Sequence, residues 1–171
     1  MGHDQIEASE DGLPPYFAVS LRKLVLMSIG TLGLYEVWWF YKNWSRIKHR
    51  EQSDISPAWR AVFTPIWAYA CFARIRTSAK SLNIPVVLPA GPLTLGWFIT
   101  LNLWRLPDPY WLVCYLTPIW LIPVQISANR INSIVAPEHL KEDAVNRFEI
   151  AMVSVGALLL VLTIIGMASP N

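Results

Sequence analysis

The chain has 171 residues, of which 54% are apolar and 15% charged, and its formal net charge is +2. Soluble domains carry about 25% charged residues. The shortfall of charged residues here is concentrated in three long charge-free stretches: Leu82–Trp104, Pro109–Asn129 and Ile150–Asn171. Such stretches argue against a soluble globular protein. Two cysteines and three scattered histidines lack metal-ligand spacing, so we expect no disulfide framework, metal site or cofactor.

The N-terminal residues 1–15 are polar and acidic and end in a proline pair, which predicts a flexible tail. They lack the basic n-region of a signal peptide, so the first apolar helix is expected to stay as an anchor. Residues 16–171 are predicted to form a single transmembrane helical domain.

The first apolar segment, Leu24–Tyr41, contains a single charged residue, Glu36. Gly30 and Gly33 supply small positions at which another helix can approach closely. The segment is predicted to span the membrane as one helix. The basic stretch after it, Lys42–Arg50, is predicted to attract anionic lipid headgroups and not nucleic acid.

The second apolar segment, Ala58–Ile75, is shorter than the others because Arg60 and Arg74 bound its charge-free part. The residues between these arginines rise about 20 Å as a helix, against a hydrocarbon core of about 30 Å. A short interfacial or re-entrant helix is therefore predicted. A fifth spanning helix with snorkelling arginines remains the alternative.

The third and fourth segments, Val86–Trp104 and Tyr110–Ser127, are joined by a few residues and are predicted to form a tight helical hairpin. Pro137-Glu138 is typical of a helix start, which predicts a last helix over 137–168. The predicted fold is all-α: a polytopic membrane helical bundle with four spanning helices and one short interfacial or re-entrant helix.

The chain contains an internal repeat, because Thr-Pro-Ile-Trp occurs at Thr64–Trp67 and again at Thr117–Trp120. A Thr-Leu-Gly string precedes each copy, and a Ser-Ala-x-x-[Leu/Ile]-Asn string follows each. Markers that recur in the same order indicate a duplication, with halves at about 20–83 and 86–132.

The distribution of basic residues predicts the orientation of the chain. If the second segment does not cross, all 14 Lys and Arg except Arg22, Lys23 and Arg105 lie on one side. This asymmetry fits the positive-inside rule with both termini outside. If the second segment does cross, the asymmetry nearly disappears.

The core of Val19–Trp44 reads T-L-G-L-Y-E-V-W-W-F-Y. It resembles the signature T-L-G-[IL]-Y-x-x-[YW]-W-F-Y of small bacterial integral-membrane proteins of unknown function. The strings around Ser56–Phe63, Leu106–Trp111 and Pro123–Asn132 resemble the rest of that pattern. The resemblance implies a multi-pass protein of the bacterial inner membrane, and it implies no activity and no site residue.

Two groups of polar residues in apolar surroundings are the candidate sites. Glu36 is an intramembrane acid, a type of residue that is costly and a functional candidate by default, and Arg60 is its predicted partner. They form either a proton, ion or ligand site or a structural ion pair. Gln125, Asn129 and Asn132 form a helical stripe that either hydrogen-bonds between helices or lines a cavity.

The sequence contains no recognisable nucleophile–base set or phosphate-binding loop, so an enzyme is not expected. A non-enzymatic accessory, scaffold or regulatory membrane component is the favoured function, and a small oligomeric transporter or channel is the alternative. The expected partners are the lipid bilayer and a membrane protein or a second copy of the chain, with no nucleic acid.

Overall fold

The computed structural model describes residues 12–85, 87–138 and 144–168. Within those residues all regular structure is helical, which confirms the predicted all-α class. Short 3-10 helices occupy Leu103–Arg105 and Tyr110–Leu116. The α-helices are α1 (Leu21–Gly30), α2 (Leu34–Glu51), α3 (Pro57–Val62), α4 (Thr64–Ser81), α5 (Ala90–Asn102), α6 (Pro118–Val135) and α7 (Arg147–Ala168).

The first apolar segment is not one helix but a hairpin of α1 and α2. Gly33 has a φ of 89°, in the left-handed region that glycine adopts without strain. Thr31 Oγ1 donates to the Met27 carbonyl at 2.7 Å and accepts from the Tyr35 amide at 2.9 Å, so the break keeps its backbone groups bonded. The prediction of a single spanning helix over 24–41 was therefore wrong.

The second apolar segment is also broken, between α3 and α4. Pro65 lies in the first turn of α4, and the Thr64 hydroxyl donates to the Ala61 carbonyl. The chain then returns, because the Arg74 guanidinium lies 3.0 Å from the Glu51 carboxylate at the end of α2. Both hairpins thus begin and end at the same end of the molecule.

Contacts of the N-terminal segment define this shared end, hereafter the basic end. The Phe17 amide lies 3.2 Å from Asn43 Oδ1 on α2, and the Tyr16 hydroxyl lies 2.5 Å from Ser78 Oγ on α4. The Tyr16 amide donates to Asn132 Oδ1 on α6 at 3.1 Å. The C-terminal parts of α2, α4 and α6 therefore meet where α1 begins.

Helix α5 and the residues from Tyr110 to Val135 form an extended antiparallel pair. The 3-10 helix at Tyr110–Leu116 continues into α6 as a helix of 26 residues, hereafter the long helix. Trp120 binds Thr100 Oγ1 through its indole nitrogen at 2.9 Å, and a Cβ at Gly96 would lie 2.6 Å from its ring. Among the described residues, the long helix alone meets the length and hydropathy expected of a membrane-crossing helix.

The last helix begins at Arg147, and Pro137 lies outside it, so the predicted start at 137 was wrong. The start is set by Asn146, whose side chain accepts from the Glu149 amide at 2.8 Å. The Glu149 carboxylate accepts in return from the Asn146 amide at 2.9 Å. This reciprocal pair caps the helix in place of the proline.

Helices α1 and α7 run side by side in the same direction. Lys23 Nζ lies 2.9 Å from the Glu149 carboxylate, with side-chain exposures of 6% and 0%, and it donates to the Ala144 carbonyl at 2.7 Å. Further along, a Cβ at Gly156 would lie 2.5 Å from the Gly30 carbonyl oxygen. The α1–α7 contact therefore depends on a buried ion pair at one end and a glycine at the other.

Candidate functional site

The stripe of amide side chains on α6 binds the extended N-terminal segment Tyr16–Val19. Asn132 donates to the Tyr16 carbonyl at 2.9 Å as well as accepting from its amide. Gln125 donates to the Phe17 carbonyl at 3.0 Å, and Asn129 donates to the Val19 carbonyl at 2.9 Å. The stripe therefore mainly holds an extended piece of the chain, and none of its three residues lines the cavity described below. The predicted bond between helices is also present, because Gln125 on α6 bonds to Trp39 on α2.

The bonds from Gln125, Asn129 and Asn132 to the segment Tyr16–Val19 are hereafter called the clamp. Side chains from α2 and α4 complete it. The Trp39 indole donates to Gln125 Oε1 at 2.5 Å, so the amide of Gln125 is bonded at both ends. Burial raises the pKa of the Tyr16 phenol above its usual value, against the opposing effects of Arg50 and Ser78. The hydroxyl therefore stays protonated in its bond to Ser78.

The clamped segment directly follows the predicted tail, and the last two residues of that tail are ordered with it and not flexible. Pro14 and Pro15 are buried, and Tyr16, Phe17 and Val19 are fully buried. The amide stripe was visible in the sequence, but its ligand was not, because residues 16–19 show no helical or alternating pattern. Residues 1–11 of the predicted tail lie outside the described residues.

The second candidate site surrounds Glu36, in the first turn of α2. Its side chain is buried, and both carboxylate oxygens accept hydrogen bonds: from the Trp97 indole at 2.7 Å and from the Thr117 hydroxyl at 2.5 Å. Both donors are neutral. The structure thus brings together residues from α2, α5 and the long helix.

Arg60, the predicted partner of Glu36, has other contacts. Its guanidinium lies 4.4 Å from the Trp44 ring centroid and 4.3 Å from that of Trp67. The predicted ion pair is not formed, because α3 turns its next residue, Ala61, towards Glu36 and directs Arg60 to these aromatic faces. Arg60 instead lies beside Trp44, eight residues further along α2 than Glu36.

Glu36 lies in the wall of a cavity of about 320 Å³. The wall is formed by the tips of both hairpins and by the parts of α5 and the long helix that lie nearer the Arg105–Asp108 turn. Most of its lining is apolar or aromatic: Phe40, Ala61, Val62, Trp97, Leu101 and Tyr115. Thr117 is about 27 Å of helix away from Val135 at the basic end, so the cavity lies far from that end, and exposed residues such as Val62 and Pro65 form part of its rim.

The two copies of Thr-Pro-Ile-Trp have diverged at this cavity. Thr64 in the first copy donates within its own hairpin, to Ala61, whereas Thr117 in the second copy donates to Glu36. The Thr64 hydroxyl thus satisfies the carbonyl that Pro65, four residues after Ala61, leaves without an amide partner. Thr117 instead provides one of the two hydrogen bonds that hold the buried carboxylate.

Among the described residues that line the cavity, Glu36 is the only carboxylate. In the part of the chain that the structure describes, no three His, Cys, Asp or Glu side chains come together as metal ligands. The site as built can therefore offer one negative charge in an apolar and aromatic wall.

Comparison with protein-family models, curated proteins and solved structures found no match for this chain. The resemblance to small bacterial membrane proteins therefore stays a prediction from the Thr31–Tyr41 motif.

Proposed function

We propose that the protein is a multi-pass component of the bacterial inner membrane. Its helices expose many large apolar side chains, among them Ile66 at 69% and Leu158 at 59%. A soluble protein rarely leaves a continuous apolar surface of this kind uncovered. Helix α7 adds 22 residues, or about 33 Å, and has no charged residue from Ile150 onwards.

The contacts favour a topology of three crossings and two re-entrant hairpins in place of four spans. In this arrangement α5, the long helix and α7 cross, whereas the α1–α2 and α3–α4 hairpins enter and leave at the basic end. Every one of the 14 Lys and Arg residues except Arg105 then lies on the side of the basic end. This asymmetry is stronger than that of the four-span arrangement and favours a cytoplasmic position for the basic end.

The position of the N-terminus separates the two topologies. We expect a cysteine placed at Ala8 to be shielded from an impermeant maleimide in intact spheroplasts and to react once the membrane is opened. Cysteines at Ser53 and Ala136 should behave like it, and one at Pro107 should react from outside. Labelling of the Ala8 site from outside would restore the four-span arrangement, in which both termini are external.

The favoured role is that of a non-enzymatic accessory, scaffold or regulatory membrane component. The observation that carries it is the clamp, because the interior amides of α6 are used to hold the chain's own segment Tyr16–Val19. The clamp fixes a cytoplasmic surface on which basic side chains such as Lys48, Lys80 and Arg130 are exposed. Such a surface suits anionic headgroups or an acidic face of a membrane-protein partner.

A small oligomeric transporter or channel is the second candidate, and the Glu36 cavity favours it. Transporters commonly form substrate sites from discontinuous helices deep in the membrane. The breaks at Thr31–Gly33 and Phe63 both lie next to this cavity.

One set of preparations distinguishes the two roles. If the protein is an accessory component, a defined partner should co-purify in mild detergent, and its recovery should fall when Lys48 and Lys80 are changed to glutamate. Proteoliposomes should then show no cation flux above that of empty vesicles. Flux that Glu36→Gln abolishes, with no partner recovered, would favour the transporter instead.

A further inference from the structure

We infer that the cavity at Glu36 is a binding site for a small organic ammonium ion that carries an apolar or aromatic group. The inference goes beyond both proposed roles, since an accessory protein and a transporter could each use such a site. It depends on the charge of the wall, its aromatic content and its size.

The charge of the site is unbalanced. Both oxygens of Glu36 accept hydrogen bonds, from Trp97 and Thr117, which is the pattern of an ionised carboxylate. Among the described residues no lysine or arginine lines the cavity. A carboxylate offers about four acceptor positions and the two neutral donors use two, so a cationic donor can bind without displacing either.

The aromatic residues of the wall favour an ammonium ion over a metal ion. The rings of Phe40, Trp97 and Tyr115 line the same cavity as the carboxylate, and aromatic faces attract organic cations. A divalent metal would instead need several oxygen ligands, and Glu36 is the only carboxylate in the lining.

The size and apolar lining of the cavity determine which chemical group the ligand can carry besides its ammonium ion. A cavity of about 320 Å³ is at the lower end of small-molecule sites. Much of its remaining wall is apolar, as at Val62 and Leu101, and the buried Ser28 hydroxyl, which has no hydrogen-bond partner among the described residues, also lines it. The ligand class is therefore a monocation with an apolar arm, such as an arylalkyl amine, and the Ser28 hydroxyl can bond one small polar group on that arm.

The test compares phenethylammonium with its neutral analogue phenethyl alcohol, using the full chain in lipid nanodiscs and calorimetric titration, with empty nanodiscs subtracted. We expect saturable binding of the ammonium ion and at least about tenfold weaker binding of the alcohol, because the charge-assisted hydrogen bond is lost. This comparison needs no variant. No saturable binding, or equal binding of the two compounds, would overturn the inference.

Variants locate the binding at Glu36. Glu36→Gln should weaken ammonium binding about tenfold or more, whereas the matched change Glu51→Gln, on an exposed acid at the basic end, should leave it unchanged. Leu101→Trp keeps the carboxylate and fills the cavity, and it should also abolish binding. Undiminished binding by Glu36→Gln or Leu101→Trp that remains monodisperse and helical would overturn the inference.

Discussion

Replacing Lys23 with methionine should lower the free energy of unfolding by about 3–5 kcal/mol, which is the usual cost of removing one partner from a buried ion pair. Methionine keeps most of the length of the lysine chain, so the loss comes mainly from the charge. Glu149, with 0% side-chain exposure, would be left without its cation. Unfolding in mixed micelles with increasing SDS, followed by circular dichroism, measures the change.

The double variant Lys23→Met/Glu149→Gln provides the control. It removes both charges together, while the glutamine oxygen can still accept from the Asn146 amide at the start of α7. We expect it to recover most of the stability lost in the single variant. A double variant no more stable than Lys23→Met would show that the loss comes from the missing packing or from the Ala144 contact.

Replacing Gln125 with leucine should lower the free energy of unfolding by about 3 kcal/mol or more. The change keeps the side-chain volume but leaves the Trp39 indole and the Phe17 carbonyl without partners. Each buried polar group left unbonded costs about 1–3 kcal/mol. Limited proteolysis should show cleavage near Tyr16 at the same time, because the segment is then held less tightly.

Asn102→Leu is the matched control, since Asn102 binds only nearby groups at the opposite end of the molecule. We expect it to change stability by about 0.5 kcal/mol or less, as exposed substitutions usually do. If Gln125→Leu had the same small effect and left Tyr16 protected, the clamp would not be what holds the segment.

Some features of the fold could be predicted from the sequence because each depends on a polar residue that stands out in an apolar segment. The amides of α6 and the acid at Glu36 stood out as polar groups in apolar runs, and the structure gives each of them specific partners. The breaks were harder to recognise. Gly33 was interpreted as a small residue for helix packing, but it adopts a left-handed conformation in a turn that its amide closes by bonding to the Ser28 carbonyl. No periodicity reveals such a turn.

The partners of these polar groups could not be predicted for a physical reason. Opposite charge and similar expected depth pointed to Arg60 as the partner of Glu36. The actual donors, Trp97 and Thr117, are neutral, and they are distant in sequence, so neither charge nor spacing marks them. In the same way, the ligand of the amide stripe is backbone, which has no sequence signature.

The clamp also affects the order in which the molecule can be assembled. The Tyr16 amide bonds to Asn132, which lies 116 residues later in the chain. At a synthesis rate of about 5–20 residues per second, the first residues wait roughly 6 to 23 s for the helix that binds them. During that interval the backbone amides and carbonyls of Tyr16–Val19 must form hydrogen bonds to water, lipid headgroups or a chaperone. Insertion of the long helix therefore precedes closure of the N-terminal segment, and a ribosome stalled before α6 would leave that segment open to proteases.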